Sequence, residues 1–327
     1  MEWEGFNFLH TTIKNTVNQI SYVLDSNIVV MLSKYYYKKI NNENELNRCE
    51  KLYNYLKDKD VVPGIAIREL SWDSEKNIVD KSEEKILIDA MDGLFRIKKF
   101  GNNIYKQNRS MSFNTLLNNE QSNQLLLMTF CLIKKYALLY EKESSNANIF
   151  TKMVNFVNNE HKMLLSPEMT LITYSLFGKR PQIRNLMQKL FKIKSKHISE
   201  KQIYNASWDL FFFRMINSLT ANSKDGNTID NIYNVCLVTE DKALIELGAL
   251  LLNEQSMSSV SCDGLTMPCS ELNMDMIKEE YRELVQEKMG YLNMTSSVRR
   301  NFIRNNTNIL EHYGQLLSKL KQEERVI

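Results

Sequence analysis

Two short apolar runs, each closing on an aspartate and passing directly into a helical pattern, constrain this chain more than any other feature. The run from Tyr22 to Met31 reads YVLDSNIVVM. It is apolar and β-branched around one short polar interruption, which suggests a strand buried on both faces and feeding a helix. The run NVCLVTEDKALI, from Asn234 to Ile245, has the same form. Between them, Val61-Val62-Pro63 is a short strand whose proline suits a helix start, and IAIRELSW gives that helix an apolar face. Strands alternating with helices imply a parallel sheet covered on both faces. The expected fold class is therefore α/β: a three-layer α/β/α sandwich with a central, mostly parallel sheet.

The rest of the chain reads as helix. Four prolines and ten glycines are few for 327 residues, which predicts many helices and few tight hairpins. Residues 1–20 are expected to be helical or irregular. Leu46, Cys49, Leu52, Tyr53 and Leu56 recur at helical spacing. From 95 to 200 the periodicity is helical without a convincing strand. It is interrupted at Ser144-Ser145-Asn146 and at the turn signal Gly178-Lys179-Arg180-Pro181. Met257 to Cys262 reads as a last short strand. Residues beyond about 272 read as two helices divided near Asn293–Ser296, with Ser296 or Ser297 able to cap the second.

About 140 residues separate Glu69 from Asp209, far beyond a crossover of a dozen or more. A helical insertion inside an α/β domain accounts for this. The expected organisation is a core of 1–95 and 200–270, an inserted helical subdomain of 96–199 and a C-terminal helical extension of 271–327.

Composition narrows the setting. The chain is 43% hydrophobic and 25% charged, an ordinary globular balance, and its net charge of +3 is too small to imply a polyanionic partner. Five cysteines without a C-x-x-C pair argue against a disulfide framework or a zinc site and fit a reducing cytoplasm. The opening MEWEGFNFLH is acidic where a signal peptide is positive. The apolar stretch Leu125–Ile133 meets Lys134 and Lys135 too early to cross a membrane.

Four carboxylates fall in contexts that match in kind. Asp25 ends the first strand run, Glu69 rides the helix after Pro63, Asp209 lies in the helical NASWDLFFF, and Asp241 ends the last strand run as Thr-x-Asp. In open α/β sheets, sites form beyond the carboxyl ends of strands. Crowded carboxylate oxygens there suit a hard cation, Mg²⁺ or Mn²⁺. Ser26, Asn27 and Thr239 are placed to orient water, phosphate or a ligating carboxylate.

These segments resemble the PIN-domain family of metal-dependent ribonucleases. The resemblance rests on Leu24-Asp25-Ser26-Asn27, on Val62-Pro63 through Arg68-Glu69-Leu70, on Trp208-Asp209-Leu210, and on Val238-Thr239-Glu240-Asp241-Lys242-Ala243-Leu244. It covers roughly 20–95 and 200–262 and omits the insertion and the C-terminal helices. It implies Asp25, Glu69, Asp209 and Asp241 as metal ligands. It also implies an endoribonuclease whose hydrolysis leaves a 5′-phosphate and a 3′-hydroxyl.

Other features carry less. Any one of these acids, taken singly, is an ordinary helix cap or loop residue. His10, His161, His197 and His312 share no ligand spacing, and Tyr35–Tyr37 and Phe211–Phe213 suit core packing better than base stacking. From Lys179 to His197 the chain carries Lys179, Arg180, Arg184, Lys189, Lys192, Lys194 and Lys196 with no acid. That stretch is either a solvated helix face or a track for a phosphate backbone. Arg299, Arg300 and Arg304 make a smaller patch. The alternatives to a ribonuclease are a scaffold binding RNA or protein with weak or no catalysis, and a related nuclease that cuts DNA. The insertion offers a surface for a protein partner or a homo-oligomer.

Overall fold

The computed structural model describes residues 2–10, 20–73, 78–95, 97–100, 103–106, 120–191, 198–224, 234–253, 257–262, 265–270, 272–305 and 308–325. The chain is a mixed α/β protein, with thirteen α-helices and one five-stranded mixed sheet among the described residues. It divides into two compact units. The first comprises Met1–Ser122, Phe212–Gln255 and Ser259–Pro268; the second comprises Asn123–Phe211, Ser256–Ser258 and Cys269–Ile327.

The first unit opens with β1 (Glu2–Trp3) and β2 (Phe6–His10), followed by β3 (Ser21–Leu24), α1 (Ser26–Tyr36) and α2 (Glu43–Leu56). Next come β4 (Asp60–Val62), α3 (Gly64–Leu70), β5 (Trp72–Asp73), β6 (Ile78–Val79) and α4 (Lys81–Phe95), then β7 (Ile97–Phe100) and β8 (Asn103–Lys106).

The second unit is helical. It holds α5 (Glu120–Lys142), α6 (Asn146–Phe156), α7 (Ser166–Phe177), α8 (Pro181–Leu190) and most of the first half of α9 (Glu200–Lys224). The chain then adds β9 (Val235–Thr239) and α10 (Lys242–Asn253) to the first unit, and β10 (Met257–Cys262) and β11 (Leu265–Ser270) pair with each other. The last three helices, α11 (Glu279–Met294), α12 (Ser296–Asn305) and α13 (Ile309–Arg325), belong to the second unit.

The sheet order is β1-β2-β9-β3-β4. β3 runs parallel to both β9 and β4, whereas β2 is antiparallel to β9 and to β1. The sheet is thus partly parallel and not mostly so, because the N-terminal hairpin extends it beyond β9. Alternation along the strands sorts the core. Phe6, Phe8, Tyr22, Leu24, Val61, Cys236 and Val238 cluster with Ile28, Val29 and Leu32 of α1, Cys49 and Leu52 of α2, and Leu87 and Met91 of α4. The intervening Val23, Val62, Val235 and Leu237 are buried as well. A side chain at Gly248 of α10 would collide with Leu9 of β2 and Phe213, so that helix lies close over the strand. Each fully buried Leu or Phe here contributes roughly 1.5–3 kcal/mol relative to exposure.

The second unit is organised on α7, which is buried on every side from Pro167 to Phe177. Two of its polar groups are matched internally: Thr173 Oγ1 donates to Met169 O at 2.7 Å, and Ser175 Oγ accepts from Tyr136 Oη at 3.0 Å. Lys134, fully buried on α5, meets Glu324 of α13 at 2.8 Å, and Lys135 meets Glu323 at 2.9 Å.

Three expectations are corrected. Residues 2–10 form a hairpin, turned by Glu4 and Gly5 at φ 52° and 80°; positive φ at both is what a two-residue connection between twisted strands requires. The 95–200 stretch contains the β7–β8 hairpin. The C-terminal region holds three helices, and Asn308 marks the missed division: its Oδ1 accepts from Glu311 N at 3.2 Å and its Nδ2 donates to Glu311 Oε2 at 2.5 Å. No helix among the described residues is long and apolar enough to cross a membrane.

Candidate functional site

The three parallel strands of the first unit finish at one level, and each passes into a helix. Register pairs Leu24 with Val238 and Val23 with both Leu237 and Val62, so Asp25, Thr239 and Pro63 follow at the same sheet edge. Asp25 N donates to Val238 O at 3.0 Å, holding this residue against the end of β9. It then begins α1 as the N-cap: its Oδ1 accepts from Ser26 N at 2.7 Å. Asp241 does the same for α10, with Oδ1 accepting from Ala243 N at 2.7 Å. Both acids therefore perform the capping duty that a lone strand-end Asp performs anywhere. What sets this edge apart is that the two caps are tied together.

Thr239 is the tie. Its Oγ1 donates to Asp25 Oδ2 at 2.6 Å and accepts from Asp241 N at 2.9 Å. Asn27 Nδ2 adds a longer contact to Asp25 Oδ2 at 3.3 Å. Glu69, carried by α3, receives the Ser26 hydroxyl on Oε2. Asp25, Glu69 and Asp241, with Ser26, Asn27 and Thr239, thus fall into one hydrogen-bonded edge within the first unit.

The electrostatics carry a cost. Asp25 is buried, and desolvation pushes its carboxyl above the ordinary carboxylate range. The hydrogen bonds from Thr239, Ser26 and Asn27 pull it back down, and the neighbouring Asp241 charge raises it again. Helix N-termini favour negative charge by roughly 0.3–1 kcal/mol each. Here they do not cancel the burial.

A carboxylate offers about four lone-pair sites. Three donors already occupy those of Asp25, leaving about one, whereas Asp241 has a donor on Oδ1 only among the described contacts. No group of three or more His, Cys, Asp or Glu side chains is placed to hold a metal ion among the described residues. The edge therefore fits a hard cation bound by one or two carboxylates and its own waters, as Mg²⁺ commonly is, and does not fit an all-protein cage.

The remaining expected residues are distributed as follows. Asp209 sits half-buried on α9 within the second unit. Lys179, Arg180 and Lys189 are exposed on and before α8, and Arg184 is half-buried beside Gly178. Lys192, Lys194 and Lys196 lie outside the described residues. Arg299 is withdrawn from the smaller basic patch: it is buried, with its guanidinium donating to Leu292 O at 2.5 Å and Thr295 Oγ1 at 2.7 Å.

One residue at the edge was missed. Arg48 of α2 meets Glu240, between Thr239 and Asp241, at 2.7 Å, a pairing across 192 positions that no local signal announces. Comparison with known proteins finds no family model, no curated protein and no solved structure that matches this chain.

Proposed function

We propose that the first unit is a PIN-like nuclease core, a three-layer α/β/α sandwich whose acidic edge hydrolyses RNA with Mg²⁺ or Mn²⁺. One observation supports this above the rest. The Thr239 hydroxyl bonds both the Asp25 carboxylate and the backbone N–H of Asp241, at the ends of adjacent parallel strands, although the nearby Asp241 charge raises the cost of ionising Asp25. A structural cap needs no second acid beside it. A divalent cation supplies, when bound, charge neutralisation of the phosphodiester and a water acidic enough to attack at neutral pH.

The chain's own residues do the rest. Asp25 would hold the cation through the one lone pair that its three donors leave, and Asp241 through Oδ2. Thr239 fixes the angle of Asp25 and the start of the Asp241 turn. Ser26 keeps Glu69 directed at the same edge, where its carboxylate would act through a water of the cation. Asn27 steadies Asp25 Oδ2. Attack at phosphorus with loss of the 3′-oxygen leaves a 5′-phosphate and a 3′-hydroxyl. In the second unit, the exposed Lys179, Arg180 and Lys189, with no acid in their stretch of chain, offer sequence-independent attraction for a phosphate backbone.

A second reading is favoured by the occupied state of the edge. Three donors on Asp25 and one on Glu69 suit a scaffold that binds RNA or protein without cutting it. The deciding experiment incubates purified protein with labelled total RNA and with labelled single-stranded DNA, under Mn²⁺, Mg²⁺ or EDTA, and maps the ends. The nuclease predicts Mn²⁺-dependent RNA cleavage with 5′-phosphate ends. It also predicts a loss of more than about 100-fold in Asp25→Asn, above the 10- to 100-fold typical of residues that only support a ligand. Binding without cleavage selects the scaffold, and cleavage confined to DNA selects a DNA nuclease.

A further inference from the structure

We infer that Arg48 is a positioning residue for the acidic edge: its guanidinium holds and neutralises Glu240, so that the charge of Glu240 is not added beside the Asp25–Asp241 pair. Glu240 stands in the chain between the residue that ties the two acids and one of the acids themselves. Arg48 pairs with it and is itself anchored by two further contacts. Nη2 meets Glu240 Oε1 at 2.7 Å, Nε donates to Glu4 O at 3.1 Å, and the guanidinium lies 4.8 Å over the Phe6 ring.

The hairpin turn is shaped to admit it. A Cβ at Gly5 would stand 3.0 Å from Arg48 Nη2, and Gly5 is at positive φ as well. The turn beside Arg48 is therefore restricted on two counts.

Stability does not explain the arrangement. The Arg48 and Glu240 side chains are 39% and 35% exposed, and pairs of that exposure contribute roughly 0–1 kcal/mol. What three contacts on one planar group do well is fix direction. Arg48 thereby sets the number of charges that face a cation.

Arg48 acts on catalysis only if the first unit cleaves RNA as proposed above, and the measurements keep the two claims apart. Arg48→Met retains an aliphatic stem over Phe6 and removes the charge. Mn²⁺ affinity is read by calorimetry on the full chain, and kcat and KM on labelled single-stranded RNA. Arg48→Met is expected to bind Mn²⁺ about fivefold more tightly, through the released carboxylate. Its kcat falls roughly 10- to 100-fold while KM moves by less than about threefold.

Arg48→Lys keeps the charge but loses the planar group, and falls between wild type and Arg48→Met on both. Adding Glu240→Gln to Arg48→Met returns both toward wild type, and Glu240→Gln alone changes little. A purely structural role predicts instead that affinity, kcat and melting temperature fall together with no recovery by Glu240→Gln. That outcome, or an Arg48→Met protein with unaltered affinity and turnover, overturns the inference. The affinity pattern without any cleavage by wild type leaves the role of Arg48 intact and removes the nuclease. Absence of Mn²⁺ binding in every variant overturns both.

Discussion

Both units pair opposite charges, as Arg48 with Glu240 in the first, but they differ at the first unit's sheet edge. In the second, acids and bases are matched across helices: Lys134 with Glu324, Lys135 with Glu323, Lys319 with Glu160, and Lys321 with Glu200. In the first, two aspartates are brought to one sheet edge, where a threonine hydroxyl bonds the carboxylate of Asp25 and the backbone N–H of Asp241, with burial and like charge both opposing ionisation of Asp25. Opposite charges joined across helices fasten a fold. Like charges gathered at strand ends do not, and they require another reason to persist. On the reading proposed above, the contrast separates charge that stabilises from charge that is kept for a ligand.

The comparison breaks first, and most visibly, in the second unit. Glu324→Gln leaves the buried Lys134 ammonium without its main partner. Chemical denaturation should show a loss of about 2–3 kcal/mol, at or below the low end for a broken buried pair because Glu324 is 28% exposed. A loss under about 0.5 kcal/mol would mean that these pairs do not fasten the helices, and the distinction between the units would lapse.

A smaller effect tests the first unit by pH. Burial holds Asp25 above its ordinary value of 3.8, so the folded state binds this proton more tightly than the unfolded chain does. The penalty applies at pH above the raised value and is relieved as pH falls through it toward 3.8. Metal-free wild type should therefore gain stability on mild acidification across that window, and Asp25→Asn should show a flatter profile there. Parallel profiles for the two proteins would mean that Asp25 contributes no such penalty.

Much of this edge was legible because its signals are local. An apolar, β-branched run must be a buried strand, the residue ending it must lie at the sheet edge, and a helix pattern directly after it makes that residue a cap. Asp25, Asp241 and the Pro63 entry to α3 follow from such stretches alone. The connections between them are not local. Thr239 reaches Asp25 across 214 positions and Arg48 reaches Glu240 across 192, and only the strand order brings either pair together.

The N-terminal hairpin was missed for a different reason. Glu4-Gly5 turns tightly between very short strands, and β1 has only two residues, too few to display an alternating pattern. The β7–β8 hairpin is equally short, at four residues a strand, inside a long helical context. Short strands owe their existence to a partner more than to their own sequence.

The central claim is that the first unit gathers its carboxylates for a divalent cation, and Asp241→Asn tests it most directly. Asparagine caps a helix about as well as aspartate, so the substitution removes a like charge from beside Asp25 at little structural cost. Melting curves of wild type and Asp241→Asn, each with EDTA and with Mn²⁺, compare the two roles in one experiment. Without metal, the variant should be as stable as wild type or up to about 0.5 kcal/mol more stable. With Mn²⁺ about 100-fold above its dissociation constant, wild type should gain about 2.7 kcal/mol and the variant much less, so that the order of stability reverses. Equal Mn²⁺ shifts in the two proteins, or none in wild type at millimolar metal, would contradict it.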